Sequence, residues 1–182
     1  MKKLDYYLQN ERFRRARRYI NPGDKILDIG SFNMEMFEQF DDLISYGIAI
    51  DPAIKEPGKH QKYEFIRGYF PLNCPSGIRF DVITMLAVME HIKPEEQKTI
   101  ADGCYEYLKP GGKIVLTIPS PMVDQILKVL IFFRVLDGIA LEEHYGFSPR
   151  DIVRVFPEPR FRLLRHSIFQ LGLNHFFVFE KI

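Results

Sequence analysis

Two short apolar runs, residues 25–29 (KILDI) and 46–50 (YGIAI), each stop at a polar break with a helical pattern between them. Gly30 ends the first run and Asp51-Pro52 ends the second. Between residues 34 and 44 the apolar side chains fall at 36, 37, 40, 43 and 44, which is one face of a helix. Strand, helix and strand in this order describe a βαβ unit, and the pattern continues. Residues 63–67 read as a third strand and residues 80–86 (FDVITML) as a fourth. Pro94 then opens a helix whose Ile100, Ala101, Cys104 and Leu108 form a stripe, and Glu95 and Glu96 suit its positive end. Residues 109–112 (KPGG) close that helix, and residues 113–118 (KIVLTI) are the fifth strand.

Strands that alternate with helices argue for a parallel sheet, and right-handed crossovers put helices on both faces. The end of the chain differs. Residues 161–169 and 175–181 are β-like runs joined by residues 170–174, too short a link for a crossover helix, so this pair is expected to be antiparallel. The expected fold is α/β: a Rossmann-like, doubly wound, mostly parallel sheet of seven strands ending in an antiparallel hairpin. A length of 182 residues fits one such domain, 1–182, with residues 1–22 as an N-terminal helix.

Composition limits the partners. A formal net charge of +1 gives no overall drive toward nucleic acid, and no nucleic-acid partner is expected. Residues 1–25 nevertheless hold eight Lys or Arg against three acids, including Arg12, Arg14, Arg15, Arg17 and Arg18. A solvated helix face is the simpler account of that cluster, with an anion or RNA patch as the alternative. Cys74 and Cys104 lie far apart without metal-ligand spacing, so reduced thiols in a cytoplasmic protein are expected. The polar start, residues 1–10, predicts no signal peptide, and the apolar run 126–136 is too short to span a bilayer.

In doubly wound sheets, ligands sit where the strand order reverses, against the loop after the first strand. That loop is Asp28-Ile29-Gly30-Ser31-Phe32-Asn33, and Asp51 stands about twenty positions on, where an acid holds ribose hydroxyls. A dinucleotide would lay its pyrophosphate on the helix after Gly30 and use further glycines for close approach. Phe32 and Met34 occupy those places, and Glu35 and Glu38 would repel phosphate. A nucleoside that is cationic and carries no phosphate fits better.

Four stretches in order, KILDIGSFN, GIAIDP, FDVITMLAVMEHI and LKPGGKIVLTIPSP, resemble the class I S-adenosylmethionine-dependent methyltransferases, within their small-molecule, quinone and lipid-type group. With the terminal hairpin they cover residues 25–182. The family's Gly-x-Gly-x-Gly loop is degenerate here, with only Gly30 kept, and Gly68-Tyr69 replaces its usual acid after the third strand. The resemblance implies S-adenosylmethionine as cofactor and S-adenosylhomocysteine as product. Asp28, Gly30, Ser31 and Phe32 would line the methionine end, and Asp51 with Pro52 the ribose. Tyr69 and Phe70 would flank adenine, and Met85, Leu86 and Ala87 would pass beneath the cofactor.

Methyl transfer needs a base only when the acceptor loses a proton, and His91 and His144 are the candidates, with Tyr145 and Glu143 behind them. Residues 121–147 form an inserted segment, apolar almost all round a helix, that reads as a cover over an apolar or lipid-linked acceptor, a lid, an interface or plain core. A homodimer is among the expected partners, beside the small-molecule substrate. The alternative to an active enzyme is a degenerate relative that keeps the fold as a binding or partner subunit.

Overall fold

The computed structural model describes residues 3–31, 33–120 and 147–182. Eight strands form one sheet: β1 (Asp24–Ile29), β2 (Ile44–Asp51), β3 (Gly58–His60), β4 (Tyr63–Arg67), β5 (Phe80–Leu86), β6 (Leu108–Pro119), β7 (Phe161–Phe169) and β8 (Asn174–Lys181). Their order is β3-β4-β2-β1-β5-β6-β8-β7. The five strands β4, β2, β1, β5 and β6 run parallel, and β8 lies antiparallel to both β6 and β7. The expected seven strands are present in kind; the eighth is β3, a three-residue antiparallel edge on β4. Its residues are all exposed, so no apolar pattern marked it in the sequence.

Side chains of the central strands alternate between two cores. Along β1, Ile26 faces a cluster with Phe13, Phe37 and Val82, while Leu27 and Ile29 face one with Ile83, Met85 and Phe179. Parallel strands covered on both faces read as continuous apolar runs for this reason. Helix α1 (Lys3–Ala16) covers the first face with Phe13 and Ala16, and the short α2 (Glu35–Gln39) adds Met36 and Phe37. Burying a side chain the size of Phe13 contributes about 1.5–3 kcal/mol. Helix α3 (Pro94–Tyr107) covers the other face through Ile100, Ala101 and Cys104, joined by α4 (Ile152–Val155).

Two boundaries differ from the sequence reading. The helix expected over residues 34–44 stops at Gln39, because Ile44 opens β2 as the partner of Asp24. The fifth strand begins at Leu108, not residue 113, because Leu108 is extended (φ −81°, ψ 144°) and pairs with Phe80. The KPGG stretch thus rides inside β6, where an irregular register between Phe80 and Val82 absorbs it. Lys109 there is held by the Asp81 carboxylate at 2.6 Å.

Candidate active site

The carboxyl ends of β1, β2 and β5 open into a cavity of about 820 Å³. It lies where the connections leave β1 in opposite directions, with β2 on one side and β5 on the other. The floor begins at Gly30, whose N–H donates to the Ile50 carbonyl at 2.9 Å. Gly30 has φ +83°, and a Cβ there would stand 2.3 Å from Val88 Cγ2. Both facts exclude other residues, since positive φ is costly for a side chain and Val88 fills the space. Ser31 Oγ donates to the Asn33 carbonyl at 3.1 Å, and Asn33 Oδ1 accepts from the Glu35 N–H at 3.2 Å. The side chains of this loop therefore tie it to the start of α2.

Asp28 is buried beneath that loop and accepts from Thr84 Oγ1 at 2.6 Å. Burial pushes its pKa up to about 6, opposed by the hydrogen bonds from Thr84 and Ser31 and reinforced by the charge on Asp51. Asp51 ends β2, and its Oδ1 accepts from the Ala53 N–H at 2.6 Å. Ala87 follows β5 with φ +61°, a strained conformation for a residue with a side chain, and donates to the Thr117 carbonyl at 3.1 Å. Strain of that kind next to a cavity is a mark of functional sites.

The expected site residues divide clearly by position. Asp28, Gly30, Ser31, Asp51, Pro52, Tyr69, Phe70, Leu86, Ala87 and His91 all line this one cavity. Tyr69 is exposed at its mouth, with its N–H held by Asn73 Oδ1 at 2.9 Å, while Phe70 is buried against Tyr107. Met85 does not line the cavity: it is fully buried in the core under the sheet, because alternation along β5 turns it away. Phe32 and His144 lie outside the described residues, as does most of the 121–147 segment.

The sequence reading missed one wall. Gln9, Arg12 and Phe13 of α1 line the cavity, as do Glu95, Glu96 and Thr99 of α3. The solvated-face account of the basic cluster is thereby corrected for several of its members. Arg12 enters the cavity, Arg15 lies over the Phe169 ring at 4.4 Å, and Arg17 pairs with Asp42 at 2.5 Å. Arg14 pairs with Glu11 at 2.7 Å, and Arg18 is exposed. Only the i, i+3, i+4 spacing of Gln9, Arg12 and Phe13 could have signalled a shared face, and nothing in it says what that face meets.

A central pair of parallel strands, an acid at the end of the second and a cavity at their carboxyl ends form the ligand-binding edge of a doubly wound sheet. A family model described as a methyltransferase domain matches residues 2–165. The chain belongs to that family. No curated protein matches it in sequence.

Among solved structures, the PH0226 protein of Pyrococcus horikoshii is similar at a TM-score of 0.70 and 15% identity, over 100% of this chain and 93% of that one. The N-methyltransferase NodS of Bradyrhizobium japonicum, in complex with S-adenosyl-L-homocysteine, is similar at 0.69 and 14% identity, over 94% and 86%. A SAM-dependent methyltransferase of Methanosarcina mazei gives 0.60 at 20% identity, over 92% and 97%.

The residues present fit S-adenosylmethionine, the donor that the sequence resemblance implies. Its sulfonium and ammonium outweigh its one carboxylate, and the cavity carries the acids Asp28, Asp51, Glu95 and Glu96. Those acids would repel the phosphates of a dinucleotide.

Proposed function

We propose that the protein transfers a methyl group from S-adenosylmethionine to a small-molecule or apolar, lipid-linked acceptor that enters the same cavity. The observation that carries this reading is the cavity itself. Its volume, about 820 Å³, is near the upper end for small-molecule sites, and apolar side chains such as Ile50, Phe70, Leu86 and Ile92 are part of its lining. Leu72 and Tyr69, both exposed, are among its lining residues.

When bound, S-adenosylmethionine supplies an electrophilic methyl group for in-line displacement. The chain's own work is to bind, orient and exclude water. In this reading Asp51 and Pro52 hold the ribose, with Tyr69 and Phe70 beside the adenine. Asp28, Gly30 and Ser31 hold the methionine end, and Leu86 and Ala87 pass beneath it. His91, on the turn after β5, is the base for an acceptor that must lose a proton. His144, outside the described residues, is proposed for the same role. The reading also keeps the protein in the cytoplasm, where Cys74 and Cys104 stay free thiols; burial pushes the Cys74 thiol up to about 12.

The test is turnover. The protein is incubated with S-adenosylmethionine and a panel of small amines, phenols and short-chain lipid-linked phenols, and S-adenosylhomocysteine formation is measured. Release that rises with acceptor apolarity supports the reading. Donor binding without release across the panel would instead favour a binding subunit.

A further inference from the structure

The sheet ends at β7, whose outer edge has no strand beside it among the described residues. Such an edge presents a row of N–H and C=O groups to any second strand, and proteins guard it with charge and with bulges. In β7 both devices sit in the first half. The register shifts between Leu163 and Arg165, and Arg162 is paired with Glu180. Residues 165–169 then pair with β8 without a break, so their backbone is regular along the outer edge. The hairpin also carries apolar side chains that its own fold leaves exposed: Leu163, Leu164, Ile168 and, on the turn, Leu171. Leu171 is wholly exposed at φ +57°, a backbone region costly for leucine.

We propose that the outer edge of β7 joins a second copy of this chain, antiparallel about a two-fold axis at Ser167. In a two-fold contact residue i meets j and j meets i, so a strand joins itself only where its own pattern is complementary. Centred on Ser167, the pairing sets His166 opposite Ile168 of the second copy and Arg165 opposite its Phe169. Opposed residues share a face, as they do inside the hairpin, where His166 opposes Phe177 and Ile168 opposes His175. The exposed Ile168 thereby gains an aromatic neighbour, the ring that in each chain already stacks on Phe177.

Charge selects this register. Arg165 is the one Lys, Arg, Asp or Glu in residues 165–169. Centring the pair on Arg165 would oppose two arginines directly, and centring it on His166 would set them on a diagonal; both are repulsive. Centred on Ser167 they fall at opposite ends of the ladder, roughly 14 Å apart by strand rise and beyond the screening length of about 10 Å. Leu171 then comes level with the Leu163–Leu164 bulge of the second copy. One short ladder buries little surface, so the association belongs to the weak, micromolar class. The inference is independent of the donor reading, because β7 lies at the far end of the sheet from β1 and β2.

Sedimentation velocity of the full chain at pH 7.5 tests it, and the dimer fraction should rise across the micromolar range. Ile168→Lys, at an exposed position, should keep the melting temperature and leave the chain monomeric throughout. Cysteine cross-linking reads the register. Ser167→Cys should give a covalent dimer under mild oxidation, since directly opposed Cα atoms stand about 4.5–5.5 Å apart, within disulfide reach. Arg165→Cys should not, because its two Cα atoms lie well beyond the roughly 7 Å limit. Cys74 and Cys104 are buried and stay out of the reaction. A wild type that is monomeric at every concentration, or a dimer that Ile168→Lys leaves intact, would overturn the interface. Cross-linking through Arg165→Cys in place of Ser167→Cys would overturn the register. A monomer that sediments with phosphatidylcholine vesicles, and ceases to in Ile168→Lys, would assign the hairpin to a lipid surface instead.

Discussion

Asp28 shows how one residue links the site to pH. Its folded pKa of about 6 lies above the ordinary aspartate value of 3.8, chiefly because it is buried. The folded protein therefore holds a proton there that the unfolded chain has already released. The stability tied to that proton is fully present below 3.8 and is lost as pH rises through 6. Asp28→Asn should thus stabilise the free protein at pH 7.5 by on the order of 1–3 kcal/mol, read from urea melts. Binding of the cationic donor runs the other way. It needs the carboxylate ionised, so affinity should fall as pH drops from 7 to 5 in the wild type and stay flat in Asp28→Asn. An identical pH dependence in both proteins would place the ammonium elsewhere. At the end of β2, Asp51→Ala should weaken donor binding by roughly 1.5–3 kcal/mol while the apo fold survives, since Asp51 faces the cavity. The places of Gly30 and Asp51 at the cavity were legible because strand ends follow from local spacing. Arg12 was not, because its neighbours Arg14 and Arg18 have the same chemistry and point to solvent.

At the scale of elements, the β7–β8 hairpin carries a second titrating device. His166 Nε2 and His175 Nδ1 lie 3.0 Å apart, and the rings are nearly parallel at 9° with centroids 5.3 Å apart. That geometry sets the two nitrogens nearly along the line between the rings, so they share one hydrogen. The His166 ring also stacks on Phe177 at 4.3 Å. Burial lowers the pKa of both histidines, and each would oppose a second charge on the other. The hairpin is thus at full strength above pH 6.5 and loses stability as pH falls below it. Amide exchange across β7 and β8 should be faster at pH 5.5 than at 7.5, and His166→Phe should remove most of that difference. The antiparallel pairing was readable from a link too short for a helix. The histidine pair was not, because it depends on register: His166 faces Phe177, which places it diagonal to His175. Likewise α3 was readable from Pro94 and its apolar stripe, whereas the absorption of KPGG into β6 came from pairing with β5.

Across the whole molecule, two cores on opposite faces hold one sheet, and the cavity sits at its carboxyl edge where neither core closes it. A ligand that binds only the folded state stabilises it by mass action, by about 2.7 kcal/mol at a hundredfold excess over its Kd. S-adenosylhomocysteine should therefore raise the melting temperature by several degrees while NAD leaves it unchanged. A shift with NAD would show that the acidic wall does not exclude phosphate. The parallel sheet, its antiparallel end and much of the cavity lining could be read along the chain, because apolar period, glycine and strand-end acids act over a few residues. The short edge strand β3, the turning of Met85 into the core and the arrival of α1 over the cavity could not. Each depends on contacts between residues far apart in the chain: β3 exists only because β4 offers it an edge, and Arg12 shares a cavity with Asp28, Gly30 and His91 only because Phe13 packs into the core beside it. Those contacts are set by which surfaces remain uncovered once the sheet has formed, and no local pattern records that.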